Sequence, residues 1–276
     1  MTREEIFWNY HNEIVKVYKE FHLTSLKGLD SEFIVNGRQI LVWYIQIVRK
    51  GRIKYQKELE FDKLFDDLLF CSDEILYFLA NMYLYKPFIN NPIADGFLWS
   101  GKMLYPNYQN LEAKKYSMFA NSVCEKLYNY WDRIGDLIAA YFPSLIKPEQ
   151  VFFAKIIDII PPEYHNSLNF IWLKEFKEKK FLDLNEKRKQ TVHYITEDTT
   201  FKYNHLNSPR ERDEIEKIYF ERISLADYYK NHLLLTLDGF EKTMLLIEEI
   251  SEKTITDAEI ENILAAANEP AADNAG

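Results

Sequence analysis

Apolar residues recur three and four positions apart along most of the chain, so the sequence predicts helices joined by short polar connections. In IFWNYHNEIVKVYKEFH, residues Phe7, Tyr10, Ile14, Val17 and Phe21 fall on one face of an amphipathic helix. FIVNGRQILVWYIQIV is rich in β-branched residues and fits a strand or a buried helix equally, because its apolar run carries no deciding period. Ser72 or Asp73 is placed to cap a helix through EILYFLANMYLY, which Pro87 ends. Residues 87–109 hold Pro87, Pro92, Pro106, Gly96 and Gly101, the clearest break in the pattern, and a domain or subdomain boundary is expected there.

The longest stripe follows. Tyr116, Phe119, Val123, Leu127, Tyr130, Ile134, Leu137, Ile138 and Tyr141 predict one helix from Leu111 to Phe142, stopped by Pro143. Pro148 suits the first turn of a helix through VFFAKIIDII, closed by Pro161 and Pro162. A helix from Leu168 to about Lys180 leads into another beginning near Asp183. After His193 the segment TEDTTFKYNHLNSP loses apolar periodicity and reads as a loop, followed by a short helix, RERDEIEKIYFERI. Ser224 and Asp227 have capping-box-like spacing before a long helix, and Thr256 with Glu259 offers another box for a last short one. The end, NEPAADNAG, is small and polar and reads as disordered. No internal repeat interrupts this order.

Composition narrows the class. In 276 residues there are only 8 Gly, which leaves few of the tight turns that sheet-rich folds need. The 19 Tyr and 19 Phe recur mostly at helical spacing, where packing is their default role. Cys71 and Cys124 lie far apart inside apolar-periodic stretches with no C-x-x-C pair, consistent with a reducing compartment. The start, MTREEIFWNYHNE, is acidic where a signal peptide needs basic residues, and the run Ile40 to Val48, broken by Gln46, is too short to span a bilayer. A cytoplasmic location is expected. A net charge of −9 argues against a surface that grips nucleic acid all round, since such binding draws on phosphate neutralisation. Locally the balance reverses: from Lys174 to Lys189, Lys and Arg outnumber Asp and Glu.

That basic stretch runs into LNEKRKQTVHYIT, which carries the candidate chemistry. Arg188 supplies a permanent charge with forked donors for phosphate oxygens, and His193 supplies an imidazole that titrates near neutrality. RNA is cut when its own 2′-OH attacks the adjacent phosphate, so an acid or base and a stabiliser of the added negative charge suffice without a metal. On an ideal helix the two side chains point roughly 140° apart. They converge only if the helix loosens near His193 or a second subunit completes the site. Lys187 and Lys189 would anchor phosphates, Tyr194 would stack on or hydrogen-bond a nucleotide, and Asp132 or Asp136 would orient His193. His11, His22, His165, His205 and His232 show no metal-binding spacing, and no metal or other cofactor is expected.

Two segments, LYNYWDRIGDLIAAYF at Leu127–Phe142 and RKQTVHY at Arg188–Tyr194, together resemble the HEPN superfamily, the higher-eukaryote and prokaryote nucleotide-binding domains. The first is similar to the opening helix of the HEPN bundle in a bacterial branch, the second to its signature of Arg, four to six residues, then His. The resemblance covers about residues 110–250 and implies an all-α, up-and-down helical bundle that homodimerises with two motifs facing one cleft. With the additional, mostly helical N-terminal region, the organisation becomes 1–105, a HEPN-like bundle over 106–255, and a short helix with a disordered tail over 256–276. Many members resemble metal-independent RNases in toxin or defence roles, and others are non-catalytic binding modules. The resemblance makes Arg188 the motif arginine and His193 the motif histidine. Lys189 departs from the pattern, since active members often carry Asn or another small polar residue there. The leading expectation is an RNA-binding, metal-independent endoribonuclease, and the alternative a non-catalytic module for dimerisation, a nucleotide or an unidentified protein partner.

Overall fold

The computed structural model describes residues 1–55, 61–142, 146–193, 196–207 and 211–254. It is all-α apart from two short hairpins, as the spacing of apolar residues predicts. Helix α1 spans Arg3–Glu20 and opens with a reciprocal capping box between Thr2 and Glu5. Its inner face is Ile14 and Val17, with the Tyr10 hydroxyl donating to Asn81 Oδ1 at 2.6 Å, while Phe7 at the N-terminal end of the stripe stays exposed.

The ambiguous β-branched segment is both things at once. Strands β1 (Ile34–Val35) and β2 (Arg38–Gln39) pair across Asn36 and Gly37, both at positive φ, and the chain then enters α2 (Ile40–Tyr55). Asn-Gly is the pair that adopts this left-handed turn most cheaply, so the local turn decides where a uniformly apolar run stops being strand.

Helix α3 (Phe61–Tyr85) begins well before the expected cap. Ser72 and Asp73 lie inside it and bind a loop instead: Ser72 Oγ accepts from the Leu26 backbone N–H at 3.0 Å, and Ser25 Oγ donates to Asp73 at 2.6 Å. Pro87 sits in the 3-10 turn that follows the helix, as its missing N–H requires. The break then holds a hairpin, β3 (Phe97–Trp99) with β4 (Lys102–Leu104), turned at Ser100 and Gly101.

Helix α4 (Leu111–Ala139) carries the long stripe. Tyr116, Val123, Leu127, Tyr130, Ile134, Leu137, Ile138 and Tyr141 are buried, although the α-helix ends at Ala139, before Tyr141. Pro148 lies in a separate 3-10 turn, and α5 covers only Phe153–Ile159. Helix α6 (Leu168–Phe176), capped by Ser167, passes through a π-helical turn (Lys177–Phe181) into α7 (Leu182–His193).

Two expectations fail beyond this point. The segment read as a loop is α8 (Glu197–Asn207), started by Thr196, whose hydroxyl accepts from the Thr199 N–H at 3.3 Å. It lacked an apolar stripe because its inward positions are polar, Asp198 and the buried His205 among them. The expected cap at Ser224 and Asp227 is also overturned, because α9 runs unbroken from Arg212 to Thr254. Ser224 Oγ donates back to the Glu221 carbonyl, and Asp227 accepts from the Tyr83 hydroxyl at 2.6 Å and from Lys86 at 2.8 Å. Thr256, Glu259 and the tail lie outside the described residues.

The chain divides into two compact units, each of three stretches. The first takes residues 1–31, 69–130 and 179–237; the second takes 32–68, 131–178 and 238–276. In the second, Trp131 is fully buried, its ring stacked on Phe176 at 4.0 Å and tilted against Phe153 at 4.9 Å. Gly239 lets α9 pass under that ring, since a Cβ there would lie 2.2 Å from it. In the first, Tyr130 is buried and donates to the Thr236 carbonyl at 2.9 Å, and Tyr116 accepts from the Ala226 N–H at 3.0 Å.

Candidate functional site

Helix α7 is set by its first turn. Phe181 and Leu184 are buried, and Arg188 follows at the next position of the same stripe, so a guanidinium takes the place of a third core residue. It is only partly exposed, and its Cζ lies 4.0 Å from the centroid of the Tyr128 ring, which in turn stacks on Phe181 at 5.5 Å. A partly desolvated cation over a ring gains on the order of 1–2 kcal/mol. Arg188 Nε is buried and has no hydrogen-bond partner among the described residues. An unmet buried donor costs about 1–3 kcal/mol, so the guanidinium is oriented by an aromatic face while a donor is left unused. No carboxylate pairs with Arg188 among the described residues.

The neighbours differ. Lys187 Nζ lies 5.1 Å from the Tyr228 ring centroid, and Lys189 Nζ pairs with Glu186 at 2.8 Å. Tyr228 donates to Asp183 Oδ2 at 2.6 Å and packs against His232 at 4.7 Å. His193 is the last residue of α7, where the expected helix boundary falls, but its side chain and the whole of Tyr194 lie outside the described residues. Asp132 accepts from the Phe153 N–H at 3.3 Å, at the start of α5, and Asp136 pairs with Arg133 at 3.6 Å. Burial raises the Asp136 carboxyl above its ordinary range, with Arg133 opposing.

Sequence reasoning missed two groups in the first unit. Asp198 of α8 accepts from Arg222 at 2.7 Å, from Ser117 at 2.7 Å and, through both carboxylate oxygens, from Gln109 Nε2 at 2.9 Å, which ties α8 to α4 and α9. The second is His232, buried on α9 with Nδ1 unpartnered among the described residues. Burial holds its imidazole down at about 4, with Asp183 opposing and Lys180 and Lys187 assisting. Their signal was present as charged or titratable residues within helical stretches, but nothing in linear spacing reveals that these positions face inward.

The family model for Cthe2314-like HEPN domains matches residues 76–257, from within α3 to just past α9. The chain belongs to the HEPN superfamily. No curated protein and no solved structure matches it. The matched HEPN region contains α7 with Arg188 and His193, and it lies in a superfamily of nucleotide-binding and RNase-type domains that commonly dimerise. Among the described residues of this HEPN protein, no helix is long and apolar enough to cross a membrane.

Proposed function

We propose that this HEPN protein binds RNA and cuts it without a metal, as a homodimer, with Arg188 and His193 as the working pair. The observation that carries the proposal is Arg188 itself: a guanidinium in a core-facing register, 4.0 Å from the Tyr128 ring centroid, with no acidic partner among the described residues and a buried Nε–H unused. The buried Nε of Arg222 is unpartnered too, but that guanidinium is paired with Asp198, whereas Arg188 has no carboxylate among the described residues. An arginine that meets a transient phosphate would need none.

In the reaction, His193 takes the proton of the 2′-OH as its oxygen bonds to the adjacent phosphorus, and Arg188 stabilises the charge gathered on the phosphoryl oxygens. The bond from phosphorus to the 5′-oxygen then breaks, that oxygen takes a proton from a second acid, and the products are a 2′,3′-cyclic phosphate and a free 5′-OH. The second motif of a dimer would supply that acid. Lys187 and Lys189 serve as phosphate anchors and Tyr194 as a stacking group. A cytoplasmic defence or stress role fits such an activity.

The test is digestion of a mixed-sequence RNA in EDTA by wild type, Arg188→Ala and His193→Ala. Cleavage that persists in EDTA and is lost in both variants is the expected outcome. Equal background in all three refutes catalysis and favours the non-catalytic module, a reading supported by Lys189 in a position where active members often carry a small polar residue.

A further inference from the structure

Beside the motif, between α7, α8 and α9, lies a cleft of about 320 Å³ lined by Lys187, Gln190, Phe201, Glu221, Leu225 and Tyr228, among others. All of these residues belong to the first unit. The volume is at the lower end of the range for small-molecule sites, about 300–1,000 Å³, enough for one nucleotide but not for a folded ligand. From α7 come Lys187 and Gln190, which flank Arg188 in sequence. The cleft therefore shares its helix with the proposed chemistry. We infer that it is a nucleobase subsite that selects guanine in the RNA strand, an inference that rests on the reading of α7 as an RNA-cleaving site.

The walls divide by chemistry. Phe201 and Tyr228 offer aromatic surface, Leu225 is buried apolar surface, and the Gln190 amide and Glu221 carboxylate are the edge-reading groups. A carboxylate accepts two hydrogen bonds side by side. Guanine presents two adjacent donors, N1–H and the N2 amino group. Adenine and cytosine set a ring acceptor next to their amino group, and uracil sets its one N–H between two carbonyls, so each brings a lone pair against Glu221. Lys187 rests on the Tyr228 ring at 5.1 Å in this structure, a contact worth about 0.5–1 kcal/mol at an exposed site. Base stacking gains about 1–3 kcal/mol, so an incoming base displaces the ammonium, which swings on its flexible stem towards the phosphate. With a net charge of −9 the chain has little to gain from phosphate attraction alone, and the base must supply much of the affinity.

The experiment is isothermal titration of the full chain with the 5′-monophosphates of guanosine, adenosine, cytidine and uridine. Parallel RNA digestion in EDTA and circular dichroism confirm that each variant is folded and report its cleavage. Guanosine monophosphate is expected to bind at least fivefold more tightly than the other three. Glu221→Gln should erase that preference, Ser224→Phe should fill the cleft and abolish binding of all four, and Lys187→Ala should weaken all four alike. No saturable binding of any monophosphate, or a guanine preference unchanged in Glu221→Gln, overturns the inference. Cleavage that needs Arg188 and His193 but ignores base identity would leave the nuclease standing and this subsite refuted. Guanine-selective binding without cleavage would support the subsite and refute the nuclease.

Discussion

Replacing Asp198 with alanine strips a buried guanidinium of its counter-ion at the point where α8 is pinned to α4 and α9. The Arg222 side chain is 12% exposed and Asp198 26%, and the pair is 2.7 Å apart. Burial pulls the Arg222 guanidinium below its ordinary value, with Asp198 opposing, so the charge is already poorly solvated before its partner is removed. Breaking such a pair costs about 3–5 kcal/mol, and the partial exposure of Asp198 lowers that to about 2–4 kcal/mol. Gln109 and Ser117 lose their acceptor in the same step. Asp198→Asn keeps a carbonyl acceptor and should cost about 1–2 kcal/mol. Urea unfolding followed by circular dichroism measures each value, and the decisive comparison adds Arg222→Met to Asp198→Ala. If the penalty is an unpaired buried charge, the double variant is more stable than Asp198→Ala alone. Simple additivity, or a loss below about 1 kcal/mol for Asp198→Ala, would refute the reasoning.

Gly239→Ala drives a methyl group into the buried Trp131 ring, 2.2 Å from its nearest atom, and should cost about 1–3 kcal/mol in urea unfolding despite the better helix propensity of alanine. A neutral cost would mean that the ring has room to move. His232, held at about 4 against about 6.5 unfolded, contributes nothing above pH 6.5, but as pH falls from 6.5 to 4 the unfolded chain takes up a proton that the fold refuses. Stability should fall by about 3 kcal/mol across that window, and His232→Phe should remove this part of the acid sensitivity when unfolding is measured at both ends. Arg188→Leu completes an apolar stripe with Phe181 and Leu184; it should hold or raise the melting temperature while abolishing cleavage in EDTA, and a melting temperature lowered by many degrees would assign Arg188 a structural role.

What the sequence made legible follows from which residues face inward. The α4 stripe could be read because its buried positions, from Tyr116 to Tyr141, are apolar or aromatic and recur at one period. Helix α8 could not, because Asp198 and His205 occupy positions where a pattern of apolar residues would otherwise appear, their polarity met by Arg222 and by the Tyr105 carbonyl. The two misplaced caps share this cause. Ser72, Asp73 and Asp227 have residue types that favour helix ends, but within α3 and α9 they bond to distant segments, and only tertiary structure decides between those uses. At the candidate site, Arg188 was recognisable from its spacing to His193. Its seat on Tyr128 was not, since a contact between α7 and α4 leaves no local trace.

The distribution of these costly groups bears on function more than any one of them. The second unit buries aromatic contacts, Trp131 with Phe153 and Phe176 and Tyr44 with Phe65, and leaves Trp43 Nε1 and Thr243 Oγ1 unpartnered among the described residues. In the first unit, α7, α8 and α9 hold a partly buried arginine over a ring, a buried histidine held neutral, a second buried histidine, and an arginine–carboxylate pair. Each lowers stability relative to an apolar residue of similar volume, by the unmet Nε of Arg188, by acid sensitivity at His232 and by desolvation at Arg222. Fold stability alone would favour leucine or phenylalanine at such positions. Where ionisable exceptions to that rule lie on the three helices that line a cleft, they fit the proposed site for a charged ligand, because a ligand can return in binding what its receptor gives up in folding.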